Sequence, residues 1–134
     1  MVLERFKLPA GERLKSRTDF EKVFTSGSVI FSDDKNIKAV YLIEKGSVPG
    51  KIKIATVVSG KAGKAVWRNR LKRLLRTSYR LNKENIINIC LLKNIVLRII
   101  FSPYRYQESK KRIVMLNDIV PGMKDVLLKI ERKL

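Results

Sequence analysis

The chain has 134 residues, 45% of them apolar, and its 30 Lys and Arg against 12 Asp and Glu give a formal charge of +18. This length and composition predict a single domain over residues 1 to 134, and the charge favours nucleic acid as partner ahead of an anionic membrane surface or an acidic protein. Because the chain has no histidine and only one cysteine, zinc fingers and histidine-based catalysis are excluded.

The first elements along the chain are a short arm and a helix. Residues 1 to 11 form a basic stretch with Pro9 and Gly11, which predicts an extended arm. Thr18 followed by Glu21 is a capping-box pattern, so we expect a helix over about 18 to 26.

Strands follow this helix. Apolar residues over 37 to 43, and the alternation over 52 to 58, predict two strands, and residues 29 to 31 favour an additional edge strand. Residues 59 to 64 then form a loop whose GKAGK sequence lacks the spacing of a nucleotide-binding P-loop.

A helix with two different faces is predicted from residue 65 to about 82. One face carries an apolar stripe, and the opposite face is cationic. The stripe consists of Trp67, Leu71, Leu74, Leu75 and Ser78, and the cationic face of Asn69, Lys72, Arg73, Arg76 and Arg80.

The last elements are a strand and a helix. Residues 95 to 101 predict a strand, whereas residues 84 to 93 fit either a continued helix or irregular structure. An amphipathic helix is predicted from about Pro121 or Gly122, because proline suits the first turn. Its buried stripe would be Met123, Val126, Leu127 and Ile130. The chain is thus predicted to form an α/β or α+β sandwich of helices on a small sheet.

Most of the charge lies in one stretch. The 39 residues between Glu44 and Glu84 contain 12 Lys or Arg and no carboxylate. Arg68, Lys72, Arg76 and Arg80 follow one another at a spacing of four, where like charges destabilise an isolated helix. Each guanidinium group in such a row can make two hydrogen bonds to the oxygens of one phosphate, so this helix is predicted to bind RNA or DNA. The alternative is a basic face that only contacts solvent.

Other features suggest structural roles and a cytoplasmic protein. Asp33 and Asp34, the one adjacent acidic pair, are typical of a turn, and Cys90 among apolar neighbours is typical of a buried thiol. No apolar run reaches the ~18 residues of a membrane span, and the charged first ten residues argue against a secretory peptide. We therefore expect a cytoplasmic location, without a membrane or protein partner.

Two segments resemble one known family. Residues 58 to 76, VSGKAGKAVWRNRLKRLLR, are similar to the arginine-asparagine-arginine segment of the bacterial ribonuclease P protein family. Residues 13 to 24, RLKSRTDFEKVF, are similar to the family's first helix. The resemblance is clear over about 13 to 27 and 52 to 80, and the remaining elements agree in order and character.

The resemblance implies a fold and a function. The fold would be an α/β two-layer sandwich with a small mixed sheet, order α-β-β-β-α-β-α, and a left-handed crossover at the basic helix. The protein would bind the catalytic RNA of ribonuclease P and the 5′ leader of precursor tRNA, supporting endonucleolytic removal of the leader. The RNA would carry the chemistry, with Mg²⁺ held mainly by RNA and substrate, so no catalytic or metal-binding side chain is expected here.

The resemblance also implies site residues. Phe20, Phe24 and, through a gapped alignment, Tyr41 would line the leader-binding cleft. Gly60 and Phe101 depart from the family pattern, which usually has basic residues at or near these positions. The residues matching the RNA-binding segment are Lys61, Lys64, Arg68, Asn69, Arg70, Lys72, Arg73 and Arg76, to which Arg80 is added from its place on the cationic face.

Two other functions would use the same residues. A ribosomal or RNA-chaperone protein would explain the basic helix but not the pair of matching segments. A nuclease that works without RNA would need acid-base groups, and Asp33 and Asp34 are the only candidates that the sequence indicates.

Overall fold

The computed structural model describes residues 10–46 and 48–134. The predicted arm of residues 1 to 11 lies outside the described residues up to residue 9, and its last two residues begin a 3-10 turn at Ala10–Glu12. A second 3-10 turn spans Gly60–Ala62. The helices are α1 (Arg17–Ser26), α2 (Ala65–Asn82), α3 (Glu84–Lys93) and α4 (Leu116–Glu131), and the strands are β1 (Ser28–Phe31), β2 (Ile37–Lys45), β3 (Lys51–Thr56) and β4 (Ile95–Pro103).

The four strands form one mixed sheet in the order β1-β2-β4-β3. β2 pairs antiparallel with both β1 and β4, whereas β3 pairs parallel with β4. β4 is central, and its run of apolar residues suits a strand covered on both faces. The mixed sheet and its helices confirm the predicted α/β fold. The left-handed sense of the β3 to β4 connection stays a prediction.

Side-chain alternation divides the core between the two faces of the sheet. Ile37, Ala39 and Tyr41 of β2 point into a large cluster shared with α2, α3 and α4. Val40 of β2 and Ile100 of β4 point the other way, where they pack with Leu14 and with Val23 of α1. Thus α1 covers part of one face, and the other three helices cover the opposite face. The face under α1 is here called the groove face, after the groove described below.

The N-cap of α1 lies two residues before the predicted one, and the helix begins at Arg17. Ser16, rather than Thr18, is the N-cap, and its hydroxyl accepts a hydrogen bond from the Asp19 N–H at 3.5 Å. Ser16 has extended backbone angles, as an N-cap requires, whereas Thr18 already lies inside the helix.

The undecided stretch after the basic helix is a separate helix, α3. It buries Ile86 and Cys90 and ends at Asn94, whose φ of 54° places it in the left-handed conformation typical of a helix end. The element order is therefore α-β-β-β-α-α-β-α. Burial raises the pKa of the Cys90 thiol to about 11, which fits the predicted structural role.

The last helix begins five residues earlier than predicted, at Leu116, and Pro121 lies inside it. The Asp118 carboxylate accepts the Met115 N–H at 2.8 Å and so satisfies a free donor at the helix start. The predicted stripe of Met123, Val126, Leu127 and Ile130 is buried. Within the described ranges, no helix has the length and apolar character to cross a membrane.

Candidate nucleic-acid interface

A groove of about 550 Å³ opens between the chain before α1, strand β3 and helix α2. The chain before α1 is fixed to β3, because the Leu14 N–H donates to the Ile54 carbonyl at 2.8 Å. A part-buried ion pair between Glu12 and Lys83, 2.9 Å apart, joins the same segment to the end of α2. The lining residues are Arg13, Leu14, Lys15, Phe20, Ile54, Ala55, Thr56, Arg76 and Arg80.

Four of the lining residues are cations, and two of them are crowded. Burial, together with the guanidinium groups of Arg13 and Arg73, lowers the pKa of Arg76. Burial, Arg76 and Arg13 likewise lower the pKa of Arg80. The buried Arg80 Nε has no hydrogen-bond partner among the described residues. Crowded, partly buried guanidinium groups reduce the stability of the fold when no anion is bound. They are suited to binding the phosphates of a nucleic-acid strand.

Of the three predicted cleft aromatics, one lines the groove. Phe20 lines the groove, and the Phe24 ring, 6.5 Å from that of Phe20, is 56% exposed further along α1. Tyr41 is buried on the other face of the sheet, in the core beneath α2 and α4. It shares its orientation with Ile37 and Ala39 because alternate residues of a strand share one face. Tyr41 therefore does not reach the groove, and its predicted cleft position is corrected.

The loop before α2 carries Lys61 and Lys64 on the surface. A hollow of about 540 Å³ lies here, lined by the loop, Glu108 and Ser109. The Glu108 carboxylate accepts the Lys64 N–H at 2.7 Å, and the Glu108 N–H donates to the Ala62 carbonyl at 2.8 Å. The segment containing Glu108 thus fixes this basic loop.

The arginine-asparagine-arginine segment has two structural contacts. Arg68 donates to the Gly63 carbonyl at 3.0 Å, and Arg70 donates to the Val114 carbonyl at 3.2 Å. Asn69 between them is exposed. Each guanidinium has five N–H donors, so both arginines keep donors that these contacts do not use, while their side chains are held in place.

The remaining predicted residues link the loop to the groove along α2. Arg73 is exposed and Lys72 is half-buried, and both precede the groove residue Arg76. The structure therefore brings Phe20, Arg76 and Arg80 together in the groove and places the other predicted cations on the loop and on the surface of α2.

Residues outside the predicted set also belong to this interface. Arg13 and Lys15 line the groove, and the signal for them in the sequence was only that they lie in one of the segments resembling the family.

The two positions that depart from the family pattern, Gly60 and Phe101, have different structural environments. A side chain at Gly60 would meet nothing within 4 Å, whereas Phe101 is buried against Tyr79 with their rings 5.8 Å apart.

The acidic pair lies at the other end of the molecule, in the turn before β2. Lys129 Nζ lies 2.6 Å from Asp33 and 3.3 Å from Asp125. A hydrogen bond from Lys129 and its charge lower the pKa of Asp33. Asp34 accepts the Asn36 N–H at 2.9 Å. In residues 10–46 and 48–134, no group of three or more His, Cys, Asp and Glu is placed to hold a metal ion.

Known proteins resemble this chain in sequence and in fold. The family model for ribonuclease P matches residues 8–115. The ribonuclease P protein component of Dictyoglomus turgidum is 40% identical over 89 residues, covering 63% of this chain and 71% of that protein. The one from Desulforapulum autotrophicum is 36% identical over 81 residues, covering 60% of this chain and 65%, less than two thirds, of that protein.

Two solved structures share the fold over most of the chain. The RNase P protein from Thermotoga maritima gives a TM-score of 0.63 at 25% identity, covering 90% of this chain and 96% of that one. The RNase P protein from Staphylococcus aureus gives 0.64 at 21% identity, covering 90% and 95%. The groove and the basic helix therefore lie on a scaffold that these proteins have in common.

Proposed function

The chain belongs to the ribonuclease P protein family, and on that premise we propose that it is the protein subunit of a ribonuclease P ribonucleoprotein. In this role it binds the catalytic RNA and the 5′ leader of precursor tRNA. It thereby supports the endonucleolytic cut that leaves the mature tRNA 5′ end. The chemistry belongs to the RNA subunit, and the place of action is the cytoplasm.

The observation that carries the proposal is the groove. It combines an aromatic ring, Phe20, with four cations at Arg13, Lys15, Arg76 and Arg80. Single-stranded nucleic acid is bound by this combination, because bases stack on aromatic rings while cations follow the phosphates. We assign the leader to this groove, with Phe24 extending it along α1.

The catalytic RNA is assigned to the surface beside the groove. There the loop and α2 present an interrupted row of donors with no carboxylate in the same stretch of sequence. Residues held by backbone contacts, such as Arg68 and Arg70, would present their remaining donors in a fixed orientation. The assigned residues are Lys61, Lys64, Arg68, Asn69, Arg70, Lys72 and Arg73.

Magnesium is assigned to the RNA and the substrate. The carboxylates of Asp33 and Asp125 both lie within 3.3 Å of Lys129 Nζ, so this acidic group does not fit a Mg²⁺ site. No metal-dependent step is assigned to the side chains of this protein.

Reconstituted cleavage tests the proposal. A 5′-extended precursor tRNA is incubated with a bacterial ribonuclease P RNA at low Mg²⁺, with and without the protein, beside a protein-only control. Cleavage at the mature 5′ end is expected only with both components. Tight RNA binding by folded protein without cleavage would indicate a general RNA-binding module. Cleavage by protein alone that depends on Asp33 or Asp34 would indicate a nuclease.

Substitution of Arg80 tests the groove. Arg80→Met keeps the length of the side chain and removes its charge, so we expect weaker binding of leader-containing precursor and a salt slope lower by about one. Thermal stability should be unchanged or higher, because the crowding of Arg76, Arg13 and Arg80 is relieved. Arg132→Met, at the C-cap of α4, makes the same charge change away from the groove and should leave the slope unchanged. Equal slopes for both variants would remove the groove from the proposal.

A further inference from the structure

A second aromatic and cationic site lies at the opposite end of the groove face. Phe31, the last residue of β1, and Tyr104, directly after β4, contact each other edge to face with ring centroids 4.6 Å apart. Lys35 Nζ lies 5.5 Å from the centroid of the Phe31 ring. A hollow of about 110 Å³ between these residues is completed by Arg105. None of these residues was predicted as a site residue from the sequence.

The strand register places the site on the groove face. Phe31 pairs with Lys38, and Lys38 pairs with Ser102, so these side chains share one face. That face also carries Val40 and Ile100, which pack under α1. Because side chains alternate along β4, Tyr104 continues the row of Ile100 and Ser102. The aromatic pair therefore lies on the same sheet surface as the groove, beyond the part that α1 covers.

The site is held in place and open to solvent. The Tyr104 N–H donates to the Asn36 carbonyl at 2.9 Å, which extends the sheet pairing past the end of β4. Nevertheless, the Tyr104 side chain is 50% exposed. A pair serving only the core would be covered, whereas this ring presents a fixed surface to solvent.

The carboxylates nearest the site face other partners. Asp33 is bound by Lys129 Nζ, and Asp34 accepts hydrogen bonds from the Ser32 hydroxyl and the Asn36 N–H, with its oxygens beside Gly122 of α4. The Asp33 charge is thus paired with Lys129, and the Asp34 carboxylate is held by hydrogen bonds within its own turn. Lys35 and Arg105 remain exposed beside the rings.

The site is also close to the basic loop before α2. Glu108, four residues after Tyr104, is hydrogen-bonded to Ala62 and Lys64. Four residues span at most about 14 Å, so Tyr104 lies close enough to Glu108 and the loop for one short RNA segment to contact both. Three further cations, Lys110, Lys111 and Arg112, follow on the same segment.

We propose that Phe31 and Tyr104 form a second base-stacking site, which takes an unpaired nucleotide of RNA while Lys35 and Arg105 contact its phosphates. The inference rests on the proposed function in that the partner is RNA. The unpaired nucleotide comes either from the 5′ leader beyond the groove or from a single-stranded segment of the catalytic RNA. Both sources offer the same chemistry, a base face and a phosphate.

The test compares three variants in two binding assays. Tyr104→Leu keeps an apolar side chain and removes the ring, Tyr104→Phe keeps the ring, and Leu92→Ser removes an exposed apolar side chain on α3. One assay measures affinity of the protein for the catalytic RNA. The other measures affinity of the reconstituted ribonucleoprotein for precursor tRNA with a long leader and with a leader of one or two nucleotides.

Tyr104→Leu should weaken one of these affinities by about 5- to 150-fold, the usual effect of losing one stacked base, while Tyr104→Phe and Leu92→Ser stay near the parent protein. Loss confined to the long leader assigns the site to the leader. Loss in the first assay assigns it to the catalytic RNA. A 2-aminopurine at the assigned position should lose fluorescence on binding the parent protein and keep it with Tyr104→Leu.

Unchanged affinity in both assays, with Tyr104→Leu folded by circular dichroism, would overturn the inference. Arg80→Met is measured in parallel to separate this outcome from failure of the proposed function. If Arg80→Met weakens binding and Tyr104→Leu does not, only the second site is removed. If neither variant has an effect, the groove fails as well.

Discussion

Glu44 lies at the centre of a small ionic cluster on the groove face. Its carboxylate is 2.6 Å from Lys22 Nζ of α1 and 2.9 Å from an Arg98 guanidinium nitrogen of β4. Arg98 also approaches Asp19 of α1 at 3.8 Å. These ion pairs join α1 to the sheet beside Phe20, so they help to set where the groove begins.

This cluster predicts a specific pH dependence of stability. The hydrogen bond from Lys22, with Arg98, holds the pKa of Glu44 below its ordinary value. A carboxyl with a lowered folded pKa contributes stability above its unfolded pKa, and that stability is lost as pH falls through the folded value. Glu44→Gln should therefore destabilise the protein at pH 7 and have a smaller effect below about pH 4. Urea unfolding from pH 3 to pH 7 measures this difference.

Glu131→Gln, at the last residue of α4, is the matched control, because it makes the same change away from the cluster. It should alter unfolding little at any pH. A Glu44→Gln effect that is equally large at pH 3 and pH 7 would show that shape, rather than charge, accounts for it.

The face on which a residue lies is easier to predict on a helix than on a strand. On α2, an error of one position turns a residue by about 100° around the helix axis, and the basic face is wide enough that Arg76 and Arg80 still line the groove. On β2, a shift of one position moves a side chain to the other face of the sheet. Tyr41 was placed by a gapped alignment, and its neighbours Val40 and Leu42 are the residues that pack on the groove face.

The segment between β4 and α4 holds the start of α2. Its contacts reach both the loop and the helix, through Glu108 to Lys64, through Lys111 to Trp67 and through Val114 to Arg70. α2 has no side-chain cap of its own, since Lys64 occupies the N-cap position. The carboxylate of Glu108 supplies an acceptor there and suits the positive end of the helix dipole.

Replacing Glu108 should therefore loosen the basic helix. Glu108→Ala removes the acceptor and is expected to cost about 1 kcal/mol of unfolding free energy, the usual effect of losing an N-cap. Glu108→Gln keeps an oxygen acceptor and should cost less. Urea unfolding measures both, and hydrogen exchange should show faster exchange of the first turn of α2 in Glu108→Ala. Equal costs for the two variants would show that the hydrogen bond is not the cause.

Elements with a clear period could be predicted from the sequence, and elements set by tertiary contacts could not. The alternation over β3 and the two faces of α2 were sufficient to locate both. The start of α4 was missed because proline is common in a first turn, whereas here the Met115 and Asp118 contact begins the helix before Pro121. α3 has a weak amphipathic pattern, and its separation from α2 depends on how Ile86 and Cys90 are buried.

At the scale of the whole molecule, charge and stability oppose each other. A net charge of +18 on a folded chain of 134 residues repels itself. The groove concentrates this repulsion, since burial and neighbouring guanidinium groups lower the pKa values of Arg76 and Arg80. The same charges attract RNA, so RNA binding should reduce the electrostatic repulsion that remains in the folded protein.

This opposition predicts that salt changes stability and RNA binding in opposite directions. Raising NaCl from about 10 mM to about 150 mM shortens the screening length from about 30 Å to about 8 Å, so the melting temperature should rise. RNA affinity should fall over the same range, because fewer counterions are released into a saltier solution. Arg80→Met should show a smaller rise in melting temperature, since it removes one of the crowded charges. A melting temperature that falls with salt in the parent protein would mean that its ion pairs, such as those of Glu44 and Lys129, outweigh the repulsion.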